Sequence, residues 1–144
     1  MEHIAIMRKS WGLTRKIISG EKTIESRWYK SKRDPWDRIH INDIVYFKDS
    51  GEPITIRCGV SKVVQFSDID SDKVMEILKT YGKQDGIDAA DIQKFYGMFK
   101  DKRYCLLIFL KDIKEVEPFY IDKRGFGAMA SWITLDKAES IKSA

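Results

Sequence analysis

The sequence has 144 residues, of which 43 % are hydrophobic and 33 % are charged. This composition is typical of a soluble globular protein, and the length predicts one domain that buries about 70 % of its unfolded surface. The longest apolar run, 105–110, is too short to cross a bilayer. The two cysteines, Cys58 and Cys105, lie far apart, which indicates reduced buried thiols and no structural zinc site. We therefore expect a cytoplasmic protein with no cofactor, no metal and no membrane contact.

The net charge is +4, and it is concentrated at the start of the chain. Residues 1–48 contain 11 Lys and Arg against 6 Asp and Glu, whereas the remainder contains 15 against 16. A local excess of positive charge favours an anionic partner, such as a nucleic acid or a nucleotide. A generic basic surface without such a partner stays open as the alternative.

The chain begins with a short strand and a short helix. Ile4 and Ile6 alternate with other residues, which predicts a strand near 2–7. Apolar residues at helical spacing predict a helix over 13–19, and Gly20 is typical of its end.

Residues 20–29 carry the most informative pattern in the chain. As a strand, this segment places Glu25 and Arg27 on one face because side chains alternate, and Lys22 stands where the strand begins. An Arg guanidinium beside a carboxylate fixes the carboxylate's position and lowers its pKa. The alternative is an exposed strand with a surface ion pair, which contributes about 0–1 kcal/mol.

The following loop, 30–38, mixes Lys and Arg with Trp36 and lies close in sequence to Trp28. Single-stranded nucleic acids are bound by such mixtures, because bases stack on aromatic rings while cations contact phosphates. The alternative is that the tryptophans belong to the core and the lysines only solvate a loop. A hairpin follows, with strands at 44–47 and 54–65.

Two amphipathic helices are predicted next. The first has apolar residues at helical spacing over 74–81 and opens at Asp70; the second covers 92–99, with Asp88 as its expected N-cap. We expect both apolar stripes to face the core.

The remainder of the chain reads as strands and loops. The apolar run within 103–110 predicts the central strand, and 114–119 a further strand. The glycine-rich segment 123–130 lacks the pattern of a phosphate-binding loop. A closing strand at 132–135 completes one domain over 1–135, and we expect 136–144 to be a frayed polar tail. Strands, a helical pair and further strands indicate an α+β fold.

The segment Ile17 to Arg27 resembles the signature of the ASCH domain (activating signal cointegrator homology) of the PUA-like superfamily. That signature is a short helix followed by Gly-x-Lys-Thr-x-Glu-x-Arg. Residues 40–47 are similar to the family's next turn and strand, and the resemblance extends over roughly residues 3 to 135. It implies a PUA-like open β-barrel of about five to seven strands, with a short helix after strand one and a helical pair before the central apolar strand.

The resemblance also implies a function, because PUA-like domains commonly contact RNA or read single nucleobases. We therefore expect an RNA- or nucleotide-binding protein with its cleft beside the segment from Gly20 to Arg27. The candidate contacts are Arg8, Lys9, Trp11, Lys22, Glu25, Arg27, Trp28, Lys32, Arg33, Trp36 and Trp132.

An enzyme is the alternative that the resemblance implies. Some small ASCH proteins are amidohydrolases that act on N4-acetylcytidine or a related modified nucleoside, through a Lys, a Thr and a Glu. The Lys position corresponds to Lys22, the Thr position to Glu25, and the Glu position to Asp85 in the loop between the paired helices. A partly desolvated Lys22 would have a lowered pKa and act as base or nucleophile, with Asp85 moving the proton, whereas Glu25 beside it would raise that pKa.

Ribonuclease activity, which is known for some ASCH relatives, is a third possibility. The histidines, His3 and His40, are the residues that such chemistry most often uses. Each lies next to a predicted strand, and we expect both to be structural.

Overall fold

The computed structural model describes residues 1–127 and 129–143. Ala128, in the predicted glycine-rich segment, and Ala144, in the predicted tail, lie outside the described residues. The strands are β1 (Glu2–Met7), β2 (Ile24–Tyr29), β3 (Ile44–Asp49), β4 (Ile54–Phe66), β5 (Tyr104–Phe119) and β6 (Trp132–Leu135). The α-helices are α1 (Leu13–Ser19), α2 (Ser71–Tyr81) and α3 (Ile92–Phe99).

The strands form one curled sheet in the order β2-β5-β4-β3-β1-β6. The neighbours β1 and β3 are parallel, and the other neighbouring pairs are antiparallel. The sheet closes only half of a barrel, with β2 and β6 as its edges. This architecture confirms the predicted α+β, PUA-like open barrel, with α1 after β1 and the pair α2 and α3 before the central strand.

The strand that contains the long apolar run is longer than the sequence predicts, and it lies between β2 and β4, second from one edge of the sheet. The two strands expected at 103–110 and 114–119 are one continuous strand, β5. Its side chains change from mostly buried to mostly exposed after Leu110, which made the second half resemble a separate element. Pairing nevertheless continues as far as Phe119 because the partner strand β4 is equally extended.

Local backbone chemistry sets the ends of the first two helices. Gly12 and Gly20 flank α1 with φ values of 64° and 86°, in the left-handed region that glycine enters without strain. At α2, the Asp70 side chain accepts a hydrogen bond from the Lys73 backbone N–H at 2.8 Å, which confirms the predicted N-cap.

The prediction that the Asp88 side chain caps the next helix is wrong. Its backbone carbonyl instead accepts from the Asp91 N–H at 2.8 Å and starts a 3-10 turn over Ala89–Asp91. Helix α3 then begins at Ile92. The 3-10 turn supplies the first hydrogen bond that a side-chain cap would otherwise provide.

Buried apolar side chains hold the helices onto the sheet. One cluster fills the curl of the sheet beneath α1 and includes Ile17 and Phe47. A second cluster packs α2 and α3 against β2 and β5 and includes Ile24, Leu78 and Phe95. The predicted apolar stripes of both helices therefore face the core, and the second cluster brings the α2–α3 connection close to the start of β2.

Residues 138–142 are held against the sheet and are not frayed. Ala138 is fully buried in an apolar cluster, and its backbone N–H donates to Glu2 Oε1 at 2.7 Å. Lys142 forms a β-bridge with Ile121. The expected fraying is therefore wrong for 138–142, because a small apolar residue fixes the segment to the sheet. Among the described residues, no helix has the length and apolar character needed to span a membrane.

Candidate functional site

A cavity of about 530 Å³ lies beside the edge strand β2, between the helical pair and the end of β1. Its wall combines aromatic rings, two carboxylates and several cations. The residues that line it are Ile6, Met7, Arg8, Trp11, Leu13, Lys22, Glu25, Ser26, Arg27, Trp28, Tyr29, Asp85, Ile87, Phe95, Met98, Phe99, Lys102 and Ser131.

Lys22 is fully buried at one side of this cavity. Its Nζ donates to the backbone carbonyl of Ile24 at 2.7 Å, and to the carbonyl and Oδ1 of Asp85 at 2.8 and 2.6 Å. It also forms an ion pair with Glu25 Oε1 at 3.1 Å. An ammonium has three hydrogens to donate, so these acceptors fully satisfy the charged form of Lys22.

Glu25 links Lys22 to Arg27. Its Oε2 accepts from Arg27 Nε at 2.9 Å and lies 2.8 Å from Arg27 Nη2. The predicted contact between these two side chains on one face of the strand is therefore present. The pair is not the exposed surface ion pair of the alternative, because the Glu25 side chain is only 4 % exposed.

Asp85 reaches the cavity from the loop after α2. Its Oδ2 accepts from Ser26 Oγ at 2.5 Å, and Ser26 Oγ in turn accepts from Trp28 Nε1 at 3.0 Å. The chain of hydrogen bonds from Trp28 to Lys22 thus fixes the orientation of the carboxylate. No buried side-chain nitrogen or oxygen among the described residues lacks a hydrogen-bond partner.

The loop is held against β2 by backbone contacts. The carbonyl of Gln84 accepts from the N–H groups of Thr23 and Ile24, at 2.7 and 3.0 Å. Lys16 Nζ donates to the Gly86 carbonyl at 2.7 Å. A Cβ at Gly86 would lie 3.1 Å from Lys22 Cβ, and the φ of Gly86 is 81°. Both the closeness and the positive φ therefore require glycine here.

The protonation states of Lys22, Glu25 and Asp85 depend on the charges that these side chains and Arg27 carry. Burial by itself would lower the pKa of Lys22, but the charges of Asp85 and Glu25 outweigh burial and raise it. For Glu25, burial is outweighed by Lys22 and Arg27, so the pKa of Glu25 is lowered. The lowered Lys22 pKa that the amidohydrolase alternative required is therefore absent, and the direction expected from Glu25 agrees with the raised pKa.

Asp85 behaves differently from Glu25. Burial raises the pKa of Asp85, the Lys22 charge opposes this, and the Glu25 charge adds to it, so the pKa is raised. The physical reason is that one ammonium faces two carboxylates, while Arg27 compensates only Glu25. Asp85 is therefore the carboxyl group of the cluster that takes up a proton first as the pH falls.

Aromatic side chains form another part of the cavity wall. Trp28 stacks on Phe99 with ring centroids 4.7 Å apart and planes 6° from parallel. Trp11 meets Phe95 edge-on at 5.2 Å. Trp28 and Phe95 are almost completely buried, whereas Trp11 and Phe99 keep part of their surface accessible. The accessible rings can stack on a planar ligand.

The structure brings together seven of the predicted site residues and separates the others. Those that line the cavity are Arg8, Trp11, Lys22, Glu25, Arg27, Trp28 and Asp85. Outside it, Lys9 pairs with Glu52 at 2.7 Å, and Lys32 lies 5.9 Å from the ring centre of buried Trp36. The Arg33 guanidinium lies over the ring of Tyr29 at 5.6 Å.

Trp132 is also outside the cavity, but it supports Arg27. The Arg27 guanidinium lies 5.1 Å from the ring centre of Trp132, and the Trp132 Nε1–H donates to His3 Nδ1 at 3.2 Å. His3 Nε2 donates to Asp43 Oδ2 at 2.9 Å. His3 is fully buried, which agrees with its expected structural role.

Several cavity residues had no recognisable signal in the sequence. Ser26 and Ser131 are common polar residues, and Phe99 belongs to a stripe that predicts only a core face. Lys102 follows α3 and carries no motif. Ser26 occupies a position of the signature that can be any residue, so only its place between Glu25 and Arg27 could have indicated it.

The cavity offers no recognisable metal site. Across residues 1–127 and 129–143, no group of three or more His, Cys, Asp or Glu side chains is arranged to hold a metal ion. The two cavity carboxylates are instead occupied by Lys22, Ser26 and Arg27.

Comparisons with known proteins identify the fold. The sequence matches no protein-family model and no curated protein. Crystal structures of ASCH from Zymomonas mobilis are similar: a Tyr-to-Phe variant has a TM-score of 0.68 and 18 % identity, covering 99 % of both chains. The unsubstituted protein has the same TM-score and identity, covering 99 % of this chain and 96 % of its own.

A further crystal structure is similar to this chain, with a lower TM-score. The crystal structure of hypothetical protein PH0355 has a TM-score of 0.54 and 16 % identity, and covers 81 % of this chain and 100 % of its own. Identities this low establish the fold alone. The chain therefore has the fold of an ASCH domain protein, as the signature around Lys22 predicted.

Proposed function

We propose that this protein binds a single nucleobase, of a nucleotide or of single-stranded RNA, in the cavity beside β2. The observation that carries the proposal is one cavity that joins accessible aromatic rings to a buried, fully hydrogen-bonded set of polar groups. Its volume of about 530 Å³ lies within the usual range for small-molecule sites. A nucleobase requires both kinds of surface, since it is planar and has a polar edge.

The protonation of Lys22 favours binding over catalysis by that residue. Because its pKa is raised and its hydrogens are all donated, Lys22 holds two carboxylates in place and is not a free base. The carboxylates of Glu25 and Asp85 keep further lone pairs that can accept from the N–H groups of a base edge. Their positions are set before a ligand arrives, which reduces the entropic cost of binding.

Titration of the purified protein with the four common ribonucleosides and their monophosphates, followed by tryptophan fluorescence and calorimetry, tests the proposal. We expect saturable binding and a preference for one base. Trp11→Ala should weaken binding by roughly tenfold or more, because stacking on an aromatic ring contributes about 1–3 kcal/mol per base. Tyr120→Ala, which removes an exposed ring outside the cavity, is the control and should bind as the wild type does.

Absence of binding by all of these ligands in a folded sample would overturn the proposal. Equal loss of affinity in Trp11→Ala and Tyr120→Ala would show that the ligand does not bind in this cavity. A short single-stranded RNA in the same titration extends the test to bases within a strand.

Hydrolysis of N4-acetylcytidine or a related modified nucleoside is the second candidate. The specific observation in its favour is that Lys22, Glu25 and Asp85 share one cavity, as the resemblance to amidohydrolases implied. The raised pKa of Asp85 also makes it the group best suited to pass a proton to a leaving amine. The raised pKa of Lys22 opposes its use as a base or nucleophile.

Incubation with N4-acetylcytidine and chromatography for cytidine and acetate decides between the two functions. If the protein is a hydrolase, Asp85→Asn should abolish turnover and still bind the nucleoside, since the amide oxygen can accept from Lys22 while the amide nitrogen donates to Ser26 Oγ, and the amide has no acidic proton to transfer. If the wild type binds the nucleoside but releases no acetate, hydrolysis is ruled out and binding remains the function.

A further inference from the structure

We infer that the ligand of this cavity carries a phosphate next to the base, and that Arg8 and Lys102 bind that phosphate. The inference rests on the proposed base-binding function and specifies its ligand class as phosphorylated nucleosides rather than free nucleosides. It assigns a role to Lys102, which no sequence motif identified, and a specific one to Arg8.

The buried part of the cavity is electrically balanced. Its cations are Lys22 and Arg27 and its anions are Glu25 and Asp85, and the four are joined by ion pairs of 2.6 to 3.1 Å. Both buried cations therefore already have anionic partners. A neutral, polar group such as a nucleobase fits this part better than an anion does, since an anion would face two carboxylates.

The outer part of the cavity is positively charged. Arg8 is exposed and Lys102 is half-buried, and both line the same cavity. Within the described residues, neither side chain forms an ion pair or a hydrogen bond, whereas Lys22 and Arg27 form several. These two unneutralised cations give the lining a net charge of +2 when both carboxylates are ionised.

Arg8 is also positioned next to a ring that can hold a base. Its guanidinium lies over one face of the Trp11 ring, 4.9 Å from the ring centre, which leaves the other face for a base. A base stacked on Trp11 would place the attached sugar and phosphate within the surroundings of this guanidinium. Arg binds phosphate through paired N–H groups, and Lys binds it as a point charge. The two sides of the cavity therefore match the two chemical parts of a nucleotide.

The test compares each nucleoside with its 5′- and 3′-monophosphate by calorimetry, for the wild type and for the double variant Arg8→Gln/Lys102→Gln. We expect the wild type to bind a monophosphate more tightly than its nucleoside by about tenfold or more, since the phosphate gains charge-assisted contacts with Arg8 and Lys102. In the double variant, the ratio of monophosphate affinity to nucleoside affinity should fall to near one. The salt dependence of monophosphate binding should weaken in parallel.

A matched control is the double variant Arg15→Gln/Lys114→Gln. Both residues are exposed, lie outside the cavity and have no ion pair among the described residues, and the change in net charge is the same. This variant should keep the wild-type affinity ratio. An equal fall in both double variants would show a long-range charge effect only and would overturn the assignment.

The outcomes separate this inference from the proposed function. Nucleoside and monophosphate affinities that are equal in the wild type would overturn the phosphate site and leave base binding intact. Absence of binding by nucleosides, monophosphates and RNA would overturn base binding and this inference together. A single-stranded tetranucleotide that binds more tightly than the monophosphate would identify an RNA strand as the source of the phosphate; weaker binding would identify a free nucleotide.

Discussion

The Nζ atom of Lys22 lies 2.6 Å from Oδ1 of Asp85, although the two residues are 63 positions apart in the chain. The contact connects the start of β2 to the loop after α2. Both side chains are buried, so the same ion pair fixes the helical pair against the sheet and forms one side of the cavity.

Replacement of Lys22 by methionine should destabilise the protein strongly. It leaves the buried carboxylate of Asp85 without its cation and Glu25 with Arg27 alone, and removal of one partner of a buried pair costs about 3–5 kcal/mol. We expect thermal denaturation to show a fall in Tm of roughly 10 °C or more. Asp85→Asn should cost less, because the amide oxygen still accepts from Lys22, the amide nitrogen can donate to Ser26 Oγ, and ionisation of Asp85 is already disfavoured.

Lys9→Ala serves as the control for that prediction. Lys9 pairs with Glu52 on the surface, where its side chain is 66 % exposed. Exposed ion pairs add little to stability, so the Tm should scarcely change. A Lys22→Met protein as stable as Lys9→Ala would contradict the structural role of the buried pair.

Gly86→Ala should be destabilising and should displace Asp85. A Cβ at this position would lie 3.1 Å and 3.3 Å from Lys22 Cβ and Cδ, at a φ of 81° that alanine adopts only with strain. We expect a loss of about 1–3 kcal/mol in the free energy of unfolding, measured by urea denaturation.

Gly97→Ala is the matched substitution. Gly97 lies in α3, and no atom outside its own helical turn stands within 4 Å of the position that a Cβ would occupy. Alanine in a helix interior is favoured over glycine by about 0.5–1 kcal/mol, so this change should stabilise. Equal effects of the two substitutions would show that the site around Gly86 is not tightly packed.

His3 should make stability depend on pH below neutrality. Burial lowers the pKa of His3 and outweighs its hydrogen bond to Asp43, so the folded protein favours the neutral ring. The unfolded chain then binds more protons, and stability present above the ordinary pKa of about 6.5 is lost as the pH falls. We expect the Tm to decrease between about pH 7.5 and pH 5, and His3→Gln to reduce that dependence.

His40→Gln provides the comparison, because the His40 side chain is 72 % exposed, although its ring lies 3.9 Å from the same Asp43 carboxylate. It should keep the dependence of the wild type. If His3→Gln retains the full slope as well, another group is responsible for it.

Both thiols should be unreactive in the folded protein. Cys58 and Cys105 are fully buried, and burial raises the pKa of Cys58 to about 12 and that of Cys105 further still. The thiolate is the reactive form, so a disulfide reagent should label neither thiol under native conditions and both in denaturant. Rapid labelling of the native protein would show that the strands carrying them open readily.

Sequence reasoning located most of the secondary structure because the relevant signals are local. Apolar periodicity placed α2 and α3, Asp70 marked a helix start, and alternation placed Glu25 beside Arg27. It failed at β5, where pairing with β4 continues through exposed residues. It also failed at the C-terminus, where the burial of Ala138 depends on a distant surface.

For the site, the sequence by itself determined the residue types around Lys22 and the fold to which the signature belongs. The resemblance also named Asp85, but only the tertiary structure decided which other distant residues join them: Phe99 from α3 and Lys102 beyond it. It also decided the direction of the Lys22 pKa, because burial and two carboxylates act in opposition and their balance depends on distances. Local sequence patterns predict neither the distant cavity residues nor the direction of the Lys22 pKa, since both depend on contacts between segments that are remote in the chain.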